Sequence, residues 1–586
     1  MLKDKKTIIT LIQFSFLFIL CSVFCFKIFK NIHYWGIGDW DQHFFYLESP
    51  ITVIKKYGQL PLWNPWYQGG MVLFQNSQVI FLTPFTLLLF FFSTPVAIKV
   101  SIFLHYLIAL SGMHVVANRL FHIQSVCLSL IGASIFVFNS FIPMQITEGH
   151  TWILSFSYIP WVYYFFESYV RSKNRRHLVL TAIGISLMIF EGGIYPVPLL
   201  ILFLSCYAFF QLLCYFDRTY LIALVHVGIL SVFLSAVKLI PLLDYMSMYP
   251  RLVSHDEYIP LSGLFYIFLG RIQSLGLGIL DDQPWGWHEY GCYIGYFLLI
   301  LILIAIVHAI KRIKTERVSI SILLSLSLFF LFFLGGDFHG FAPYALLSKL
   351  PIFSSMHVTG RFLILITFAF SLLVFNFLGD KGHAIQQLTA KHGMIVTAGV
   401  VISASVILFD LFMVNTQTFT GAFTINPKNI NYFKDEFKDL NEYRYVSELP
   451  SYGARSSMYP GLRMNLSIIN GYEVDKPEAG FDDDAPLVFS PNDDVKISNI
   501  KFTPNKITFN ADSPTNSIVY LNQNYVRGWK VSDSHLRVLE SEHKPAIKLS
   551  KGKYENISFY YFPNSIYIGA ILSFLCIISC FVLVKN

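Results

Sequence analysis

Asp39 and Asp41, in GDWDQH, are by type and spacing the residues of this chain best suited to chemistry. Two apart, they project to the same side of an extended segment and to nearly opposite sides of a helix. A buried carboxylate beside another gains proton affinity and serves as a general base. The ordinary alternative is a pair of solvated loop acids, or Asp39 capping a short helix. Trp35, Trp40 and Phe44 frame the pair and favour the chemical reading. Asp39 ranks ahead of Asp41, because Gly38 permits a sharp turn and the tryptophans exclude water, which raises the Asp39 pKa. Asp41 then orients an acceptor or holds His43.

Other polar groups sit in apolar or aromatic settings. They are Glu148 and His150 in TEGH, Glu191 in FEGGIYP, and Asp281, Asp282, Trp285, His288 and Glu289 in DDQPWGWHEYG. Asp337 and His339 in GGDFHG, His357 and Arg361 in SSMHVTGRF, and Asp410 complete the set. Carboxylates beside hydrocarbon are costly, and usually face a cavity. Trp63, Trp66 and Tyr67 in LPLWNPWYQGG offer faces to a sugar ring or a prenyl chain, or serve as an interfacial belt. Arg361 needs an anion, for which a phosphate or a loop carboxylate qualifies. Lys99 and Lys238 are weaker phosphate candidates that also read as snorkelling side chains. No HxH or HExxH spacing occurs, so no metal and no other cofactor is indicated.

The elements that must position these groups are membrane spans. Of 586 residues, 54% are hydrophobic and only 13% charged, which excludes a soluble multidomain enzyme, a disordered chain and a nucleic-acid binder. Runs of about 20 apolar residues predict twelve spans: 7–29, 96–118, 124–142, 151–168, 178–191, 197–214, 221–241, 291–310, 318–334, 359–378, 394–414 and 563–584. The run 84–92 is too short to cross and reads as interfacial. With a cytoplasmic N-terminus, the inner segments hold 16 Lys/Arg and the longer outer loops five, the positive-inside pattern. Both termini are then cytoplasmic, and the candidate residues collect on the outer face of an inner membrane.

The predicted organisation is a transmembrane module over 1–414 with a first outer loop 31–80, a mainly-β extracytoplasmic domain over 415–562, and a last span within 563–586. Alternating runs such as VKISNIKF, NKITFNA and ENISFYY, separated by turn residues, predict a small β-sandwich in the second half of 415–562. None of the eight cysteines falls in that segment, so no disulfide framework is expected.

The acidic motif after span one, then LPLWNPWYQGG, TEGHTWILSFSYIPW, KLPIFSSMHVTGRF and the closing NQNYVRGWKV … YENISFYYFPNSIYIGAILS, resemble in order the YfhO-like bacterial membrane proteins. The resemblance runs over nearly the whole chain. It implies a GT-C-like architecture and a glycosyltransferase that takes a sugar from a polyprenyl phosphate and gives it to an extracytoplasmic glycan, lipid or polymer. By the same resemblance the first-loop Asp is the base. The chain departs from the family pattern at His357, where Arg is expected, and at Thr359, where Pro is common. Arg361, then His357, are the candidates for the donor phosphate. His43, Trp63, Trp66, Glu148, His150, Glu191, Trp285, His288 and Glu289 are the candidates for substrate contact. Single displacement would invert the anomeric centre. The competing readings are a transporter or flippase of lipid-linked sugars, and a non-catalytic envelope assembly protein.

Overall fold

The computed structural model describes residues 2–251, 253, 255, 257–273, 285–313, 316–335, 343–437, 444–471 and 477–585, and of 2–6 and 383–392 the backbone alone. Eight of its helices are long and apolar enough to cross a membrane, or ten if two bent pairs each count as one span. The chain is therefore a multi-pass membrane protein. The predicted spans 151–168 and 178–191 fall on Thr151–Ser172, whose first eight residues wind as a 3₁₀ helix, and on the 16-residue helix Arg175–Phe190. Neither is among the eight, so among the described residues length and composition support eight to ten of the twelve expected spans.

Sequence explains where the helices bend. Thr219–Leu234 and Ala236–Met248 meet at 82° across Ser235. The last helix, Asn564–Lys585, repairs the break. Ser573 Oγ donates to the carbonyls of Phe233 and Leu234 at 3.1 and 3.0 Å and accepts from Val237 N at 2.9 Å. Gly569 makes this possible, because a Cβ there would lie 2.4 Å from the Ala236 carbonyl. Deepest in the bundle lies Thr359–Asp380, while the first helix and Gly393–Gly421 show apolar residues such as Phe26, Ile402 and Phe409 outward, as lipid-facing helices do.

The first long loop is clamped at both ends by buried lysines. Lys99 Nζ donates to the carbonyls of Asn31, Ile32 and Tyr34 at 2.7–2.9 Å, and Lys238 Nζ to those of Phe74, Asn76 and Val79 at 2.7–3.2 Å. Both are thus committed to backbone, and neither snorkels nor faces an anion. Within the loop lies the helix Trp40–Tyr57, stopped by Gly58 in the left-handed region at φ 61°.

Beyond the bundle, two four-stranded sheets pack face to face. One orders Leu539–Ser541, Lys544–Leu549, Ser517–Leu521 and Val488–Phe489. The other orders Lys496–Thr503, Lys506–Ser513, Gly552–Tyr561 and Trp529–Val531. Alternate residues such as Ile507, Phe509 and Ala511 face the shared core. Between bundle and sandwich, the residues around 422–437 and 444–471 lie against the first loop, through bridges Trp35–Ile425, Gly38–Ala454 and Tyr67–Ile468.

Candidate functional site

Two turns build the centre of the site by fitting into each other. Gly38 at φ 60° and Gly149 at φ 110° adopt conformations that favour glycine. A Cβ on Gly38 would lie 2.5 Å from the Glu148 carbonyl, and one on Gly149 would lie 2.5 Å from the Trp40 amide nitrogen. Asp39 N then donates to Glu148 O at 2.7 Å, and Trp40 Nε1 donates to Ile146 O at 2.8 Å. GDWDQH and TEGH, 109 residues apart at Asp39 and Glu148, thereby form one surface.

The two aspartates have opposite surroundings. Asp39 stands at the N-terminus of its helix yet makes no side-chain capping bond. Its Oδ2 is 3.4 Å from His150 Nε2, its Oδ1 is 3.6 Å from Arg455 Nε, and that Oδ1 has no hydrogen-bond partner although buried. Burial alone would raise its pKa, but the hydrogen bond and charge of His150, with Arg455 and His43, hold it below the ordinary aspartate value. The expected upward shift is therefore corrected: the cost of burial is outweighed by the hydrogen bond and charge of His150 and by the Arg455 guanidinium.

Asp41 is enclosed, 1% exposed. It accepts from the hydroxyls of Tyr452 and Ser456 and from the amides of Met458 and Tyr459, the last two at 2.8 and 3.1 Å. Burial raises its pKa, and these four bonds offset only part of the rise. With both oxygens saturated, it has no lone pair facing a substrate. His43 is equally enclosed. It bonds Thr151 Oγ1 at 2.8 Å, and burial pushes its pKa down to about 4, so it is neutral and turned away from Asp41's carboxylate, contrary to the pairing expected.

A second group lies beside the first. Gln145 Nε2 donates to Glu289 Oε2 at 3.0 Å, and Gln145 Oε1 accepts from His150 Nδ1, which leaves Nε2 toward Asp39. His150 and His288 rings are 6.2 Å apart, and His288 Nδ1 is buried without a partner. Arg361 grips Glu289 with both prongs, Nε to Oε2 at 3.0 Å and Nη2 to Oε1, under the faces of Tyr195 and Trp152 at 4.0 and 4.9 Å. Of the two anions open to Arg361, the loop carboxylate is the one it holds. Past it, Arg251 Nη2 donates to His357 Nε2 at 3.1 Å, with Trp285 5.6 Å from the His357 ring. Burial, then Arg361 and Arg251, push the His357 pKa down to about 3. His357 is neutral at physiological pH, so it brings no positive charge of its own to an anion. Around Arg361 and His357 a small pocket is walled by Tyr195, Tyr344, Phe353 and Met356.

The structure does not gather every candidate. Trp63 is fully buried under the sandwich, 4.9 Å from Trp529 and 4.8 Å from Tyr561, with its indole N–H on Gln523 at 2.5 Å. Trp66 is also sealed, donating to Asn465 Oδ1 at 2.7 Å. Neither presents a face to a sugar or a prenyl chain; both join the loop to the segment after residue 444. Glu191 lies elsewhere, 3.4 Å from His105, at the wall of a small, mostly apolar pocket. Asp410 is held by Arg271 and by Tyr293 at 2.6 and 2.8 Å. Asp281, Asp282, Asp337 and His339 lie outside the described residues. Among the described residues, no group of three or more His, Cys, Asp or Glu is arranged to hold a metal ion. Arg455 was missed, since SYGARSS carries no motif and stands far from the acidic loop in sequence. Arg251 was passed over as one of only five basic residues in the outer loops.

No family model matches the chain, and no curated protein matches it. Among solved structures it is similar to the apo oligosaccharyltransferase of Archaeoglobus fulgidus, at 12% identity and TM-score 0.45 over 71% of this chain and 57% of that one. It is also similar to the oligosaccharyltransferase AglB of the same organism with an inhibitory peptide and a dolichol-phosphate, at 11% identity and TM-score 0.41 over 71% and 56%. A third likeness is to the arabinofuranosyltransferase AftD from Mycobacteria, at 12% identity and TM-score 0.49 over 94% and 40%. The chain thus spans between 40% and 57% of the length of these proteins.

Proposed function

We propose that this protein is a membrane glycosyltransferase that moves a sugar from a polyprenyl-phosphate donor to an extracytoplasmic glycan, lipid or polymer. The observation that carries the reading is Asp39. It is a buried carboxylate with one oxygen free of any hydrogen bond, at the junction of two interlocked loops and beside a cluster of polar groups. Such a group is costly to bury. The sequence resemblance to the YfhO-like proteins points the same way.

In the proposed reaction, the acceptor hydroxyl donates its proton to Asp39 as its oxygen attacks the anomeric carbon. The bond from that carbon to the lipid phosphate breaks, and the phosphate keeps the electron pair. A depressed pKa keeps Asp39 ionised at any physiological pH, so the base form is always present. Little basicity is needed where the transition state resembles an oxocarbenium ion and the proton moves late. Glu148, His150 and His288 line the sugar side. The phosphate belongs in the cavity beside Tyr195 and Arg361, with Arg251 as the less committed cation, because Arg361 is already matched by Glu289.

The test is lipid and glycan profiling of a deletion strain carrying wild type or Asp39→Asn. Loss of one glycan substituent with accumulation of its lipid-linked sugar, restored only by wild type, is the expected result. An unchanged profile in the deletion strain would end the proposal.

A further inference from the structure

Arg455 reaches Asp39 from a segment that has no place in the reaction just described, and what holds that segment is Asp41. Residues 452–459 cross over the first loop as a strap. Its backbone pairs with Gly38, Arg455 N donating to Gly38 O at 3.2 Å next to the Gly38–Ala454 bridge. Four further hydrogen bonds run to a single carboxylate, Asp41, from Tyr452, Ser456, Met458 and Tyr459, beside the packing of the Tyr452 and Tyr459 rings on Trp35. Between those ties Arg455 projects back to Glu148 through Nη2 and to Asp39 through Nε at 3.6 Å. Its side chain is 46% exposed, against 7% for Arg361, so it stands at the mouth of the site and not in its wall.

We propose that Asp41 is a positioning residue that pins this strap, and that Arg455, delivered by the strap, is a catalytic-site cation that sets Asp39 and Glu148 for the acceptor. The inference rests on the transferase reading of Asp39. One guanidinium shared by two carboxylates fixes their separation, and planar geometry makes Arg better at this than Lys, though Lys keeps the charge. Without it, Asp39 and Glu148 repel each other in a water-poor setting. An acceptor hydroxyl that approaches the unbonded Asp39 oxygen passes beside Arg455, which gives the cation a direct contact with substrate. The four bonds to Asp41 are the physical reason for an acid two residues from the base: it cannot reach substrate, yet its loss frees four donors and the loop that carries them.

The test combines two readouts on the full-length protein in its own membrane. One is the glycan substituent restored to a deletion strain. The other is trypsin cleavage of the Arg455–Ser456 bond, read by peptide mass spectrometry. Arg455→Gln should lower the substituent about 10²-fold, the scale of a misplaced catalytic group, and Arg455→Lys should recover much of it. Asp41→Asn should lose the substituent and open the Arg455–Ser456 bond, while Asp39→Asn loses the substituent with that bond still protected. Full transfer by Arg455→Gln in a strain where Asp39→Asn has none would overturn the inference. So would an Asp41→Asn protein that loses transfer with its strap intact, since Asp41 would then act on substrate. Should Asp41→Asn be cut throughout the sandwich as well, it has unfolded, and the Gln-against-Lys comparison at Arg455 decides. If Asp39→Asn retains the substituent, it is the transferase reading that fails, and the trypsin arm still reports whether Asp41 holds the strap.

Discussion

Asp39 and Asp41 sit two residues apart on the same loop and share no partner: one faces His150 and Arg455, the other is enclosed by the hydroxyls and amides of 452–459. The helix that begins at Trp40 sets them nearly opposite, as a helical spacing of two requires. A division of labour between neighbours follows directly from that geometry.

Asp39→Asn keeps the shape and removes the base, and should lower transfer by about 10²–10⁴ with insertion and abundance unchanged. Comparing the glycan substituent with membrane protein level separates the two effects. A variant that transfers at the wild-type rate would move the base elsewhere.

The acid limb of the reaction has a predictable position. Asp39 is held below its ordinary value of 3.8, so its base form persists as pH falls through the usual carboxylate range and is lost only beneath it. Its contribution to stability has the same sign, present above the unfolded value and lost as pH falls through the folded one. Arg455→Gln removes one of the lowering charges, so the limb should move to higher pH. A pH–rate profile on membrane vesicles carrying the cell's own lipid-linked sugars would show it, and an unmoved limb would exclude electrostatic contact between the two.

Arg361→Ala strands Glu289 as a buried, unmatched carboxylate and should cost about 3–5 kcal/mol. The double variant Arg361→Met with Glu289→Gln should recover most of it, measured as thermal unfolding in detergent. If Arg361→Ala unfolds like wild type but binds lipid-linked donor weakly, phosphate and not Glu289 is its working partner.

Trp63→Ala should cost about 3–5 kcal/mol, as large-to-small changes in a core do. It should also loosen the sandwich from the first loop, seen as faster proteolysis within 487–562. Unchanged stability with weakened sugar binding would restore the stacking role that its burial argues against.

A reporter fused at Asn174 should read cytoplasmic and one at Gly58 extracytoplasmic, given the Lys/Arg distribution. The reverse result would place the whole site on the other face of the membrane.

The sequence alone marked the acidic loop, TEGH, HEY and HVTGRF, and the structure brings residues of all four within reach of one another. Each is a polar group stranded among aromatics, and that local signal survives without knowledge of the fold. Trp63 and Trp66 misled because an aromatic in a loop looks alike whether it faces ligand or core. Only Asn465, Gln523, Trp529 and Tyr561, hundreds of residues away, decide between the two. The enclosure of Asp41 was illegible for the same reason, since the donors that close around it come from a distant strap. Helix Arg175–Phe190 shows the opposite difficulty: its apolar run is easy to see and too short to qualify as a span by itself.

The separation of the strap from the loop also bears on how the protein is made. Asp41 and Tyr459 are 418 residues apart in the chain. At synthesis rates of about 5–20 residues per second, roughly 20–80 s pass between the emergence of the first and the second. During that interval most of the helices exist and the acidic loop does not yet have its counter-ion, so a half-made chain holds the base without the setting that makes it useful. A fragment ending at 414 should accordingly insert and remain inert until 415–586 is supplied in trans, and activity from the fragment alone would contradict this. On the proposed reading, competence is in effect a late checkpoint on biogenesis: the acidic loop is made early, but gains the strap that sets it only when about four-fifths of the polypeptide has arrived.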